Sequence, residues 1–273
     1  MIKTPKIFSR YNSLVIDLAL KDLRIKYRTP FLGFLWAFLI PFSQALILYL
    51  VFSFILVVPN QKFPFFIYLV TGVFPWRFFQ IGITRMMLSI VENKSLVKDV
   101  SFPRYFLPLS VILAELVNYI SSLVVILILI FCFRIYFSTF ILFLPLVVLL
   151  HFLFIVGIGL LLSVFHVKYR DTQNLIEIIL NILFYLTPVF YYLDSVVVFL
   201  KGPLSAIYFF NPFVSFLNLY RIVFLKGFIL NLPSEVTFFN LVILPVLATI
   251  IFLFVGFWYF RKNEKRLVDF LTI

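Results

Sequence analysis

The sequence predicts an all-α membrane protein: a polytopic bundle of six transmembrane helices, with an N-terminal amphipathic helix at the membrane interface and short re-entrant helices on the outer side between spans five and six. Three observations lead there. The 273 residues are 64% hydrophobic and 12% charged, where a soluble domain averages about 45–50% and about 25%, so lipid has to solvate most of the apolar surface. Apolar runs of the roughly 20 residues needed to cross the hydrocarbon core recur along the chain. Lys and Arg gather in short clusters between those runs, as in loops of a membrane protein. The length accommodates six crossings and their loops as a single domain over 1–273.

Residues 9–28 predict the interface helix. Arg10, Asp17, Lys21, Arg24 and Arg28 recur on one face of a 3.6-residue helix. Leu14, Val15, Leu18, Ala19, Leu23 and Ile25 fill the other faces, interrupted by Asp22 and Lys26. Asp17–Lys21 and Asp22–Lys26 are acid-before-base i,i+4 pairs that favour helix. Spans follow at about 33–57, 65–90, 105–133, 140–164, 172–192 and 236–260. They are separated by a turn at Pro59–Lys62, a polar connection at 92–104, a tight turn at 134–138 and a charged loop at 166–171. In 193–235 the apolar pieces are broken by Asp194, Lys201-Gly202-Pro203, Asn211-Pro212, Arg221, Lys226-Gly227 and Pro233. Each piece is too short to span and suits a helix that dips into the membrane where protein or water satisfies its backbone. The tail RKNEKRLVDFLTI is basic and amphipathic.

Orientation follows from the cations. Sixteen of the 23 Lys and Arg precede span one or lie in 92–104, 166–171 and the tail. Five, Lys62, Arg134, Lys201, Arg221 and Lys226, fall on the other side. The positive-inside rule places both termini in the cytosol and 193–235 outside. The net charge of +12 is thus distributed as a multi-pass protein of a cytoplasmic membrane requires, and nucleic acid is not an expected partner.

Chemistry-bearing residues are sparse. No G-x-x-x-x-G-K-[ST] run occurs, so ATP and Mg are expected on another polypeptide. No GxSxG or HExxH run suggests an intramembrane enzyme. Cys132 is alone, and His151 and His166 are better read as packed or interfacial side chains than as metal ligands. No cofactor is expected in this chain. Arg77, Arg85, Glu115 and Glu177 are ionisable residues within or near spans, where burial is expensive unless a pair, a cavity or an interface receives them. Arg85 and Glu177 lie near span ends and can reach the interface, whereas Arg77 and Glu115 lie deeper. With 39 Phe and 14 Tyr, most rings serve packing or face lipid, and tyrosines are the better candidates for substrate contact, since a buried hydroxyl needs a partner.

Read together, LALKDLRIKYRTPFLGFLWAFLIPF at 18–42, GVFPWRFF at 72–79, NKSLVKDVSFPR at 93–104, VKYRDTQNL at 167–175, TPVFY at 187–191, NP at 211–212 and WYFRKNEKR at 258–266 resemble the membrane subunit of type 2 ABC exporters of bacterial polysaccharides, the O-antigen, capsule and teichoic-acid group. The resemblance implies a homodimer with two ATPase subunits, seated in the inner membrane and exporting a lipid-linked polysaccharide. It implies that 92–104 docks on the ATPase, with Asn93, Val97, Lys98, Asp99, Phe102, Pro103 and Arg104 as coupling residues beside Lys21 and Arg24 of the interface helix. Lys98, Asp99 and Arg104 are expected to contact the partner, and Val97 and Phe102 to fill its groove. It implies an aromatic-lined channel closed by an outer gate, for which Trp76, Tyr191, Tyr192, Tyr208, Phe209, Phe210, Asn211 and Pro212 are the candidates. A small-amphiphile exporter on the same scaffold and a membrane enzyme of glycan or lipid assembly are the alternative readings.

Overall fold

The structure, a computed structural model, describes residues 15–24, 33–55, 64–99, 102–200 and 203–271. Among them the chain is helical throughout, apart from turns and one isolated antiparallel bridge between Phe137 and Leu225. Four helical stretches are long and apolar enough to cross a membrane: Phe65–Glu92, Phe106–Cys132, Thr139–Lys168 and Phe239–Phe270. The chain is therefore a multi-pass membrane protein.

The first described helix, α1, covers 15–24; the rest of the predicted 9–28 helix lies outside the described residues. Val15 and Ala19 are buried, Ile16 and Leu20 are exposed, and Asp17, Lys21 and Arg24 are also exposed. One helix thus presents a protein face, an apolar open face and a charged face. A 3-10 turn at Gly33–Leu35 leads into α2 (Trp36–Leu50), which loosens into a π turn at Val51–Ile55.

Helix α3 (Phe65–Glu92) is the axis of the bundle, with Phe65–Trp76 buried without a break. A soluble helix buries one stripe; α3 is enclosed on all sides over those three turns. Pro75 is tolerated inside it, as neighbouring helices re-satisfy a backbone that lipid cannot. Asn93 ends α3 by donating its Nδ2 to the Ser89 carbonyl (2.9 Å). The predicted polar connection at 92–104 contains a short helix, α4 (Lys94–Asp99).

Helices α5 (Phe106–Cys132) and α6 (Leu144–Lys168) flank α3. Helix α6 continues through His166 and Lys168, so the predicted loop at 166–171 begins a turn later than expected. Helix α7 (Thr172–Leu186) is shorter than the predicted fifth span. Thr187 is held extended (φ −108°, ψ 149°), the conformation favoured before Pro188, and the helix stops there. Only Leu180 of α7 is buried.

Short helices follow: α8 (Leu193–Phe199), α9 (Pro203–Phe209) and α10 (Pro212–Phe224). A π stretch at Phe239–Ile243 opens α11 (Leu244–Asn263), and after a 3-10 turn α12 (Leu267–Phe270) folds the tail back, burying Leu267 and Leu271. Helix α11 packs on α6 through two glycines. A Cβ on Gly256 would stand 2.0 Å from the Gly157 carbonyl oxygen, and one on Gly157 2.5 Å from the Leu253 nitrogen. Close backbone approach at small residues is how helices associate where no hydrophobic effect separates lipid from side chain.

Candidate functional site

The segment after α7 wraps around a buried arginine. Helix α10 starts where Asn211 accepts a hydrogen bond from the Phe213 N–H (3.0 Å), with Pro212 in its first turn, a capped start that loses no needed donor. Nearly three turns later it delivers Arg221, which is fully buried. Nη2 of Arg221 donates to the carbonyls of Pro188 (2.6 Å) and Val189 (3.2 Å). The guanidinium lies 3.6 Å above the Tyr68 ring. Gly72 makes the room: a Cβ there would meet Nη2 at 2.9 Å and the Val189 oxygen at 2.8 Å.

Tyrosines extend the clasp. The Tyr68 hydroxyl donates to the Tyr191 carbonyl (2.8 Å), and the Tyr192 ring stacks on Tyr68 at 4.1 Å. The Tyr191 hydroxyl reaches the Tyr185 carbonyl (3.1 Å) and the Tyr208 hydroxyl (3.2 Å). Five elements, α3, α7, the 187–192 turn, α9 and α10, are thereby joined. Tyr191, Tyr192 and Tyr208, predicted together, meet here. Phe209 packs in a small cluster with Leu193 and Val214, while Phe210 is exposed. Asn211 and Pro212 serve as helix cap and first-turn residue.

Trp76, expected at the channel or gate, is buried within the bundle against Phe79, Phe184 and Phe213. Arg221, counted as an outer-loop cation, is a core residue, which leaves four Lys and Arg in the loops expected to lie outside. Arg221, Tyr68 and Gly72 form a buried group that the sequence reading missed. The only signal was an arginine three residues after a Ser-Phe-Leu-Asn run in an apolar segment.

Toward the other end, the intramembrane charges meet. Arg85 Nε lies 3.7 Å from Glu115 Oε1, and Asn118 Nδ2 donates to Glu115 Oε2 (2.9 Å). Asp22 of α1 faces this pair and Lys21; burial holds its carboxyl above the usual carboxylate range, against the pull of Arg85 and Lys21 and helped by repulsion from Glu115. Asp22, read from sequence as an interruption of the apolar face, lies half-buried on the same side of α1 as the buried Val15 and Ala19. Arg77 lines a small cavity with Glu115 and Asn118, and also a groove of about 350 Å³ with Gln80, Thr84, Arg85, Gln173 and Glu177. Its Nε is buried without a hydrogen-bond partner among the described residues. Glu177 is exposed on α7.

The 92–104 connection is tied to the tail. The Arg104 N–H donates to Glu264 Oε1 and Arg104 Nη1 to the Glu264 carbonyl, both at 2.7 Å. Charge-assisted bonds of this length are among the stronger ones. Lys98 is exposed, and Phe102 is partly buried against the core. Pro103 accepts from the Phe106 N–H (3.2 Å) and so starts α5. Val97, expected to fill a partner's groove, is buried in the bundle core, where it anchors α4. The side chain of Asp99 lies outside the described residues.

His151 is enclosed by Phe78, Phe79 and Phe216, with Nδ1 3.3 Å from the Tyr220 hydroxyl. It is a polar-paired packing residue. Among the described residues no three metal-ligating side chains converge.

Comparison with known proteins places this geometry. The sequence profile of the ABC-2 type transporter family matches residues 15–225. The O-antigen export system permease protein RfbA of Klebsiella pneumoniae is 27% identical over 259 residues, 94% of this chain and 95% of that protein. RfbA of Myxococcus xanthus is 30% identical over 224 residues, 82% of this chain and 85% of that protein. The polysialic acid transport protein KpsM of Escherichia coli is 26% identical over 259 residues, 92% and 93% of the two chains.

Proposed function

The chain belongs to the ABC-2 type transporter family, and from that premise we propose that it is the permease subunit of an ATP-driven exporter of polysaccharide, moving a lipid-linked polymer such as O-antigen across the bacterial inner membrane. The observation that carries this reading is similarity over more than nine-tenths of the chain to an O-antigen export permease. The chain is a transport subunit, and ATP and Mg belong to an ATPase partner, consistent with a sequence that holds no phosphate-binding loop.

The working unit is two copies of this chain with two ATPase subunits. Six spans cross the membrane. Besides the four long helices, the continuous helical run 33–55 is about 34 Å long at about 1.5 Å per residue, enough for the hydrocarbon core of about 30 Å. Helix α7 is extended toward the same depth by the 187–192 turn. Both termini, α4 and the α6–α7 junction face the cytosol. Helices α8 to α10 form the outer gate, and the Arg221–tyrosine clasp holds it closed. A long polar chain cannot be occluded whole, so it needs a path of repeated weak contacts, and that path has to be sealed at rest. Residues 92–104 and α1 receive the ATPase stroke, with Lys98, Lys21 and Arg24 as the exposed cations.

Deleting the gene tests the reading. The expected result is polymer retained inside the cell and lost from the surface, restored by the intact gene. Normal surface polysaccharide with new sensitivity to drugs overturns it in favour of a small-amphiphile exporter. Similarity to the polysialic acid transport protein favours a second reading, capsule export. Loss of a capsule with retention of O-antigen selects it.

A further inference from the structure

A second feature lies away from the gate, where α5 and α6 meet α11, and ends close to the Arg104–Glu264 contact. A groove of about 870 Å³ opens there, with Val156, Leu160 and Leu253 in its apolar body and Arg261 and Lys262 at one end. Trp258 and Phe257 form a collar just before the two cations. Arg261 sits 4.9 Å over the Phe257 ring and Lys262 4.9 Å over the Trp258 ring. Both cations are exposed, and among the described residues neither is paired with a carboxylate. Along α11 the lining runs from Ile250 to Lys262, about 18 Å at about 1.5 Å per residue, close to one leaflet of a hydrocarbon core about 30 Å thick.

We propose that this groove binds an anionic phospholipid of the cytosolic leaflet, its acyl chain along α11 and its headgroup between Arg261 and Lys262. The length fits a single leaflet, and the interfacial tryptophan marks headgroup depth. The two cations supply the charge that an anionic headgroup complements, as in basic pockets between transmembrane helices. A zwitterionic lipid would satisfy the apolar body equally and leave the cations without a counter-charge. The proposal rests on the orientation under Proposed function, which sets these residues on the cytosolic side.

The complete permease–ATPase complex, reconstituted in nanodiscs of phosphatidylethanolamine and phosphatidylglycerol and then partly delipidated, is read by native mass spectrometry. Wild type is expected to retain phosphatidylglycerol selectively. R261Q/K262Q should lower that retention by about tenfold or more, and the charge-conserving R261K/K262R should restore it. Equal retention by the neutral variant overturns the proposal. So does retention without preference for the anionic lipid, or recovery of a prenyl phosphate carrier in its place. A Phe254→Cys variant, made with Cys132→Ser, checks for a second copy on the groove; an efficient disulfide-linked dimer through position 254 overturns the lipid assignment. The readout is bound lipid mass, so it can fail while surface polysaccharide still depends on the gene, and the reverse.

Discussion

Arg221 is held by groups that carry no formal charge: two carbonyls just past the end of α7 and the face of Tyr68. A desolvated cation over an aromatic ring is worth about 2 kcal/mol, and hydrogen bonds from a charged donor about 1.5–3 kcal/mol. Both depend on a planar fork that covers a ring while reaching sideways, which lysine lacks. Arg221→Lys is therefore expected to destabilise the purified protein almost as much as Arg221→Ala, by about 2–4 kcal/mol, read as a fall in thermal midpoint. Gly72→Ala should act in the same direction by about 1–3 kcal/mol, because its Cβ takes the space of Nη2. If the clasp is the outer seal, the same variants make cells leak ions at rest; stable variants with tight membranes would make Arg221 a packing residue only. Asp22 supplies a pH test. Its carboxyl titrates above the ordinary aspartate range because burial outweighs the pull of Arg85 and Lys21, with Glu115 adding repulsion. A raised folded-state pKa means the folded protein binds the proton more tightly, so this residue's contribution falls as pH rises from its unfolded to its folded pKa. Asp22→Asn removes that slope. Wild type should lose thermal stability relative to the variant as pH rises through that window, and parallel curves would contradict the assignment.

At the scale of elements, the 92–104 connection, proposed to couple to the ATPase, is one half of a clasp whose other half is the tail. Val97 roots α4 in the core, while Arg104 binds Glu264 through its own N–H and its guanidinium. A stroke delivered to 92–104 is thus shared with α11 rather than absorbed in a loop. Glu264→Ala should lower transport-coupled ATPase activity several-fold with normal membrane insertion. Glu264→Gln should recover much of it, since the amide oxygen still accepts from the Arg104 N–H. Equal activity in all three proteins would reduce the pair to a local tether. These elements also show what sequence can tell. The long helices were legible from apolar run length and the charged face of α1 from the 3.6-residue recurrence of its charges, because lipid imposes both. The meeting of Tyr191, Tyr192 and Tyr208 was legible as proximity in sequence. Arg221 was not: its partners lie on α3, 153 residues earlier by number, and at 188–189, and a lone cation in an apolar stretch reads the same whether it snorkels or is clasped. The Gly157–Gly256 crossing was hidden for the same reason, since a glycine in a helix carries no sign of what approaches it. Helix α7 fell short because Pro188 stopped a run that hydropathy would have continued.

For the whole molecule, the deciding quantity is the side on which each loop lies. With Arg221 in the core, the side proposed as outer keeps four Lys and Arg against sixteen on the other, a wider bias than the loops suggested before its burial was known. Positive charge counted over short loops near span ends sets orientation, and every charged loop here is short. The exposed Cys132 is first replaced by serine, and single cysteines are then placed at Ser95, Thr172, Ser195 and Ser234. An impermeant thiol reagent added outside intact cells should label Ser195→Cys and Ser234→Cys and leave the other two untouched until the membrane is opened. Ser95 sits in α4, within the connection proposed to meet the ATPase, and Thr172 at the start of α7, at a junction proposed to face the cytosol. Ser195 lies in α8, the first helix of the proposed gate. Labelling of position 95 in intact cells would invert the bundle, move the ATPase contact to α8–α10, and remove the clasp around Arg221 from the outer end of the transport path.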